Sequence, residues 1–125
     1  MQNTNQRILI VEDEHAIAQM YRFKLEGAGY KVSAAYNGEE GLKVFDEFMP
    51  DLILLDLRMP VMSGDEMLEK LRSFDKGSSV RVIVLTNISK DEAPAKLRLL
   101  DVDRYVVKAH HTPQQVVDII REVLD

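Results

Sequence analysis

The sequence predicts a doubly wound α/β domain: a five-stranded parallel sheet in the order 2-1-3-4-5, with five helices on its two faces. Two observations lead there. Short apolar runs alternate with helical patterns five times between residues 7 and 124, and such alternation calls for right-handed crossovers and parallel strands. The third run, Leu52 to Leu55 between Asp51 and Asp56, is apolar without interruption, as a strand buried on both faces must be. The most apolar strand belongs in the centre, and this order puts it there.

The elements follow in turn. Arg7 to Val11 reads as the first strand and ends in Glu12-Asp13-Glu14. A helical pattern comes next, with Ile17, Met20, Tyr21, Phe23, Leu25 and Ala28 mostly at three- and four-residue spacing. Gly29 suits its end, because glycine enters the left-handed region without steric cost. A weaker strand covers Lys31 to Ala35. Asn37 caps a second helix that runs to about Phe48, with Leu42, Val44 and Phe45 inward. Pro50 ends that segment, and Pro60 prevents easy continuation of the third strand. Ser63 and Glu66 form a capping-box pattern for a third helix that carries Met67, Leu68 and Leu71 inside. Arg81 to Leu85 is the fourth strand and leads to Thr86 and Asn87. A fourth helix is expected to be short and to start near Asp91, so that Pro94 falls in its first turn, where the missing N–H is not needed. Arg104 to Val107 is the fifth strand, ending at Lys108. Thr112, Pro113 and Gln115 supply an N-cap, a proline at the first helical position and a capping-box partner for the last helix, with Val116, Val117, Ile119, Ile120, Val123 and Leu124 as its apolar side.

Length and composition bound the function. The 125 residues suit one domain with its own core, residues 1–125, of which 1–6 are a polar N-terminal tail. A hydrophobic fraction of 46% and a charged fraction of 30% are those of an ordinary soluble protein. The absence of cysteine excludes disulfides and thiolate metal sites. A net charge of -5 argues against nucleic-acid binding by this chain itself. Neither a secretory leader nor an apolar run of membrane-spanning length is present, so a cytoplasmic location and no membrane partner are expected.

In open parallel sheets, ligands bind beyond the carboxyl ends of the strands at the point where the order reverses, here between strands one and three. Glu12 and Asp13 end strand one, Asp56 ends strand three, Thr86 ends strand four and Lys108 ends strand five. Three carboxylates brought together repel by on the order of 4 kcal/mol per pair at roughly 4 Å and an effective dielectric near 20. A hard divalent cation offsets this, and an all-oxygen ligand set favours Mg²⁺. Lys108 is a second counter-charge. Taken singly, these residues mean little: Asp56 would merely cap a turn, and Lys108 would be a solvated strand end. Other motifs are weaker still. Gly27-Ala28-Gly29 closes a helix instead of opening one, and no phosphate-cradling GxxxxGK[ST] exists. His15 and the pair His110-His111 read as solvated residues without metal partners.

In combination the pattern resembles the receiver domain of two-component response regulators, the CheY-like family, over Arg7 to Leu124. The matching features are an acidic pair after strand one, an aspartate after strand three followed by Pro60 and Gly64, a threonine after strand four and a lysine after strand five. The resemblance implies that Asp56 accepts a phosphoryl group from a phosphohistidine. It implies that Asp13 and Asp56 bind Mg²⁺ directly, Glu12 through water and Arg58 through its backbone carbonyl. Lys108 would pair with the phosphoryl group, Thr86 would hydrogen-bond it, and Tyr105 would be the switch aromatic that turns inward. The output would be a population shift at the surface made by helix four, strand five and helix five, controlling an effector protein or domain. The implied donor is a sensor histidine kinase or a phosphotransfer protein. A monomer is expected, with a phosphorylation-dependent dimer as the alternative.

On this reading the chain is a stoichiometric acceptor and not an enzyme. Two other classes compete. One is a Mg²⁺-dependent aspartyl phosphatase, but its second aspartate, two residues after the nucleophile, is Arg58 here. The other is a phosphorylation-independent interaction module on the same fold. Three departures from the family pattern stand out: Ala109 in place of proline after Lys108, Asn87 in place of a small residue after Thr86, and Asp101-Val102 where glycine and alanine are usual. Ile119 and Arg104 also differ from the winged-helix subfamily's dimer face. Arg58 and Ile88, flanking the path of a hydrolytic water, suggest slow self-dephosphorylation. The sequence names neither the kinase nor the output, and a downstream DNA-binding domain is compatible with it.

Overall fold

The computed structural model describes residues 5–125, so most of the polar tail at 1–6 lies outside the described residues. Five parallel strands, β1 (Arg7–Val11), β2 (Lys31–Ala35), β3 (Leu52–Leu55), β4 (Arg81–Thr86) and β5 (Arg104–Val107), form one sheet in the order β2-β1-β3-β4-β5. Four α-helices connect and flank them: α1 (His15–Gly27), α2 (Gly38–Phe48), α3 (Gly64–Arg72) and α4 (Pro113–Leu124). The order and the parallel pairing are those the sequence predicts.

The strand period of two sorts the core into halves. Ile8, Ile10, Leu52, Leu54, Ile83, Leu85 and Val106 face α1 and α4. Leu9, Val11, Ile53, Leu55, Val82 and Val84 face α2 and α3. All four residues of β3 are buried, which fixes it as the central strand. The caps act as the sequence indicates. Asn37 accepts the Glu40 amide at 2.8 Å, and Ser63/Glu66 and Thr112/Gln115 both close reciprocal capping boxes. Gly29 follows α1 with φ 101°, a left-handed conformation that glycine adopts without strain.

Two expectations need correction. The fourth helix is not an α-helix. Between β4 and β5 the chain makes two 3₁₀ segments, Lys90–Glu92 and Ala95–Leu99, with Pro94 between them. Pro94 has no N–H to continue a ladder and holds Ala93 extended, at ψ 151°. Phe23 is not an inward residue of α1 but is 80% exposed. The inward line runs through Ala18, Tyr21 and Leu25, and a residue two positions from Tyr21 and from Leu25 lies on the far side of the helix.

Candidate functional site

The carboxyl ends of β1, β3, β4 and β5 deliver the expected residues to one place. Glu12 and Asp56 are buried, at 3% and 8% exposure, and Thr86 at 1%. Asp13 is half-buried beside them, and oxygens of Glu12, Asp13 and Asp56 all lie within 4.8 Å of one another. Above them opens a crevice lined by Asp13, Asp56, Arg58, Thr86, Asn87 and Lys108, among others. Buried apolar strands on both sides of β3 make this edge rigid, so the carboxylates are placed by the core and not by loops.

Each carboxylate has definite partners. The Lys108 ammonium donates to Glu12 Oε1 at 2.5 Å and to Asp56 Oδ2 at 3.3 Å. The Leu57 amide donates to Asp56 Oδ1 at 2.7 Å, and the Glu14 amide donates to Glu12 Oε2 at 3.1 Å. Ala109 therefore does not prevent Lys108 from reaching the acids. Residues Lys108–His110 form a 3₁₀ turn, and His111 Nδ1 lies 3.0 Å from the Val107 carbonyl oxygen. Gly64 is required by close packing: a Cβ there would overlap the Asp56 carbonyl oxygen.

The electrostatics follow from burial. Removal from water pushes Glu12 up to about 7, against the lowering effect of its hydrogen bonds from Lys108 and from the Glu14 amide; the charge of Asp56 adds to the rise. Burial works against the Lys108 charge as well, yet the hydrogen bond to Glu12 and the charges of Asp56 and Glu12 outweigh it and raise Lys108 above its ordinary value. One ammonium faces three carboxyl groups. This oxygen-only set with excess negative charge fits a hard divalent cation.

Thr86 at the end of β4 and Tyr105 in β5 are joined through Ile88. Thr86 Oγ1 accepts the Ile88 amide at 3.4 Å, and the Tyr105 hydroxyl donates to the Ile88 carbonyl at 2.6 Å. Tyr105 is half-buried, and burial raises its phenol, with the charges of Asp56 and Glu92 adding to the rise. The loop after Thr86 is thus tied both to Thr86 and to β5.

Against known proteins, a family model described as "Response regulator receiver domain" matches residues 8–121. The chain belongs to this family. Receiver domains of this kind are the signalling modules of two-component response regulators. The chain is 44% identical over 103 residues to the uncharacterized transcriptional regulatory protein YkoG of Bacillus subtilis, covering 81% of this chain and 43% of that protein. It is 37% identical over 126 residues to the probable transcriptional regulator ycf27 of Pyropia yezoensis, covering 99% of this chain and 49% of that one. The receiver domain thus spans about half the length of the curated relatives it matches. Among solved structures, a CheY-like response regulator receiver domain protein of Methanospirillum hungatei superposes with a TM-score of 0.85 at 32% identity, over 98% of this chain and 95% of that one. The chemotaxis protein CheY4 of Vibrio cholerae superposes at 0.88 with 27% identity, over 96% and 99%.

Sequence reasoning missed three features of the receiver site. Two are backbone amides, of Leu57 and Glu14, and no side-chain pattern announces them. The third is Tyr21, counted as one apolar residue among several, which lies close beneath the acids. A phenol on an inward helix line was the available signal, since a buried tyrosine hydroxyl calls for a polar neighbour.

Proposed function

We propose that the chain is a phosphorylatable switch in which Asp56 accepts a phosphoryl group from the phosphohistidine of a sensor histidine kinase or phosphotransfer protein. The observation that carries this reading is the Asp56 carboxylate itself. It is 8% exposed at the end of the central strand, anchored by the Leu57 amide at 2.7 Å and by Lys108 at 3.3 Å, and it borders the open crevice. A nucleophile so fixed pays little for orientation. An Asp56 oxygen forms a bond to phosphorus while the P–N bond breaks, and the departing imidazole takes up a proton. Lys108 is already within reach to pair with the new phosphoryl charge, and Thr86 can offer its hydroxyl.

Asp13 and Asp56, with Glu12 at one remove and the Arg58 carbonyl, are the residues that would hold Mg²⁺. When bound, it neutralises charge on the equatorial phosphoryl oxygens. The reaction is stoichiometric, so the chain is an acceptor and not an enzyme in the turnover sense. The output passes through Thr86, Ile88 and Tyr105 to β5, the 3₁₀ connection before it and α4, and from there to an effector protein or domain. Among the described residues no helix is long and apolar enough to cross a membrane.

Intact mass after incubation with acetyl phosphate and Mg²⁺ tests the reading. One added phosphoryl group is expected, absent with EDTA and absent in Asp56→Asn. No adduct, together with no response to beryllofluoride, would favour a phosphorylation-independent module.

A further inference from the structure

Beneath the floor of the crevice lies a second, smaller cavity. Glu12 from the end of β1, Asp56 from the end of β3 and Tyr21 from α1 line it together, with Ile10, Ile17 and Leu54 among its apolar walls. It has room for about one water molecule. Tyr21 is 5% exposed, and among the described residues its hydroxyl makes no hydrogen bond to a protein group. No fully enclosed side-chain oxygen or nitrogen of these residues lacks a partner, so the hydroxyl keeps a little accessible surface, and Tyr21 is one of the residues that line the cavity. Burial raises the phenol above its ordinary value and keeps it a donor. The charges of Lys108 and Glu12 act on it in opposite senses, so both lie within electrostatic range.

Lys108 gives this phenol a task. Its ammonium divides itself between Glu12 at 2.5 Å and Asp56 at 3.3 Å. To pair fully with a phosphoryl group on Asp56 it must loosen its hold on Glu12. Of the protein's own donors, Glu12, 3% exposed, would then keep only the Glu14 amide at 3.1 Å. A buried carboxylate that loses a donor opposes the move that strips it. An apolar residue at position 21 would fill the core as well and leave that cost in place.

We propose that Tyr21 is a positioning residue of the phosphoacceptor site: through one water in the cavity its hydroxyl donates toward Glu12 and so releases Lys108 onto the phosphoryl group. The proposal rests on the reading of Asp56 as the acceptor. Tyr21 touches no reacting atom and acts only through Glu12 and Lys108.

The test is a double-mutant cycle on the intact chain. Phosphorylation by acetyl phosphate at saturating Mg²⁺ is timed for the wild type, Tyr21→Phe, Lys108→Ala and the double variant, with thermal unfolding of each. Tyr21→Phe keeps the ring, so Tm is expected to hold. The expected result is about five-fold slower phosphorylation from Tyr21→Phe in the wild-type background and less than about 1.5-fold in the Lys108→Ala background. No slowing, or equal slowing in both backgrounds, overturns the proposal. Should Tyr21→Phe fold poorly, Tyr21→Leu passes through the same cycle and is judged by the same two criteria. A wild type that takes no phosphoryl group brings down the acceptor reading and this proposal with it. Normal labelling with an unslowed Tyr21→Phe brings down the proposal alone.

Discussion

The two crossovers that flank β4 meet the same topological need with different means. From β3 to β4 the chain uses α3, nine residues with a reciprocal capping box, acids in the first turn, bases in the last, and Met67, Leu68 and Leu71 fully buried. From β4 to β5 it uses 3₁₀ segments of three and five residues, with no side-chain cap and with Leu97 as their one buried side chain. Leu99 is 87% exposed. What holds this second connection comes largely from α3. Lys96 pairs with Asp65 at 3.5 Å and Glu69 at 3.4 Å, and Arg72 donates to the Leu100 and Asp101 carbonyls, each at 2.8 Å. The same guanidinium donates to Gly77 and Val80, so one side chain staples both connections. The difference teaches where motion is cheap. A segment with one buried side chain and exposed ion pairs sits near the low end of local stability. That segment begins directly after Thr86. The β3–β4 crossover is held by its own packing, and the β4–β5 connection is the one that can move at less cost.

The largest expected effect breaks this contrast if it fails. Leu71→Ala removes a fully buried side chain of α3 and is expected to cost about 2–5 kcal/mol in urea unfolding. Leu99→Ala, on the loose connection, is expected to stay within about 0.5 kcal/mol. Comparable losses would mean that the 3₁₀ connection carries packing the structure does not show.

The same contrast explains what the sequence could and could not reveal. The strands, the order of the sheet and all three side-chain caps were legible because each depends on local chemistry: uninterrupted apolar runs, a side-chain amide or hydroxyl three residues ahead of its partner, a glycine after a helix. The acids, Thr86 and Lys108 were legible because parallel strands deliver their ends to one edge. The β4–β5 connection was not. Pro94 is tolerated in the first turn of an α-helix, and only the tertiary outcome shows that it separates two 3₁₀ segments instead. Phe23 misled for the opposite reason: aromatic character suggested burial, while helical phase put it outside. The Arg72 staple was invisible because its acceptors are backbone carbonyls.

The firm side carries an electrostatic cost of its own, and pH sharpens the comparison. Burial raises Glu12 to about 7 from an ordinary value of 4.5. A carboxyl raised on folding binds its proton more tightly in the native state, so its contribution is full below the unfolded value and is lost as pH rises through the folded one. In EDTA, the wild type is therefore expected to lose on the order of 2–3 kcal/mol between pH 4.5 and 7.5 from this group. Glu12→Gln should flatten that part of the profile when Tm is followed against pH. Ser89→Ala on the loose connection removes no titratable group and should leave the slope unchanged. A slope that survives Glu12→Gln would place the cost elsewhere.

The smallest expected difference lies in two serines that look alike in the sequence. Ser63 and Ser89 both stand three residues ahead of a glutamate. Ser63 accepts the Glu66 amide at 3.4 Å, while Glu66 Oε1 accepts the Ser63 amide at 3.3 Å and the Ser63 hydroxyl at 2.9 Å. The hydroxyl–carboxylate bond and the backbone bond hold Glu66 below its ordinary value. Ser89 Oγ donates to Glu92 Oε1 at 3.0 Å but receives no backbone amide, because no α-helix follows to supply one. Ser63→Ala is therefore expected to cost about 1 kcal/mol, the usual worth of an N-cap, and Ser89→Ala close to nothing. Amide exchange makes the comparison local. Ser63→Ala should speed exchange in the first turn of α3 and leave residues 90–99 untouched, since a cap acts on the turn it closes. Were Ser89→Ala to cost as much as Ser63→Ala, an α-helix would have to form after Ser89 in solution, and the connection read here as loose would be a second firm one.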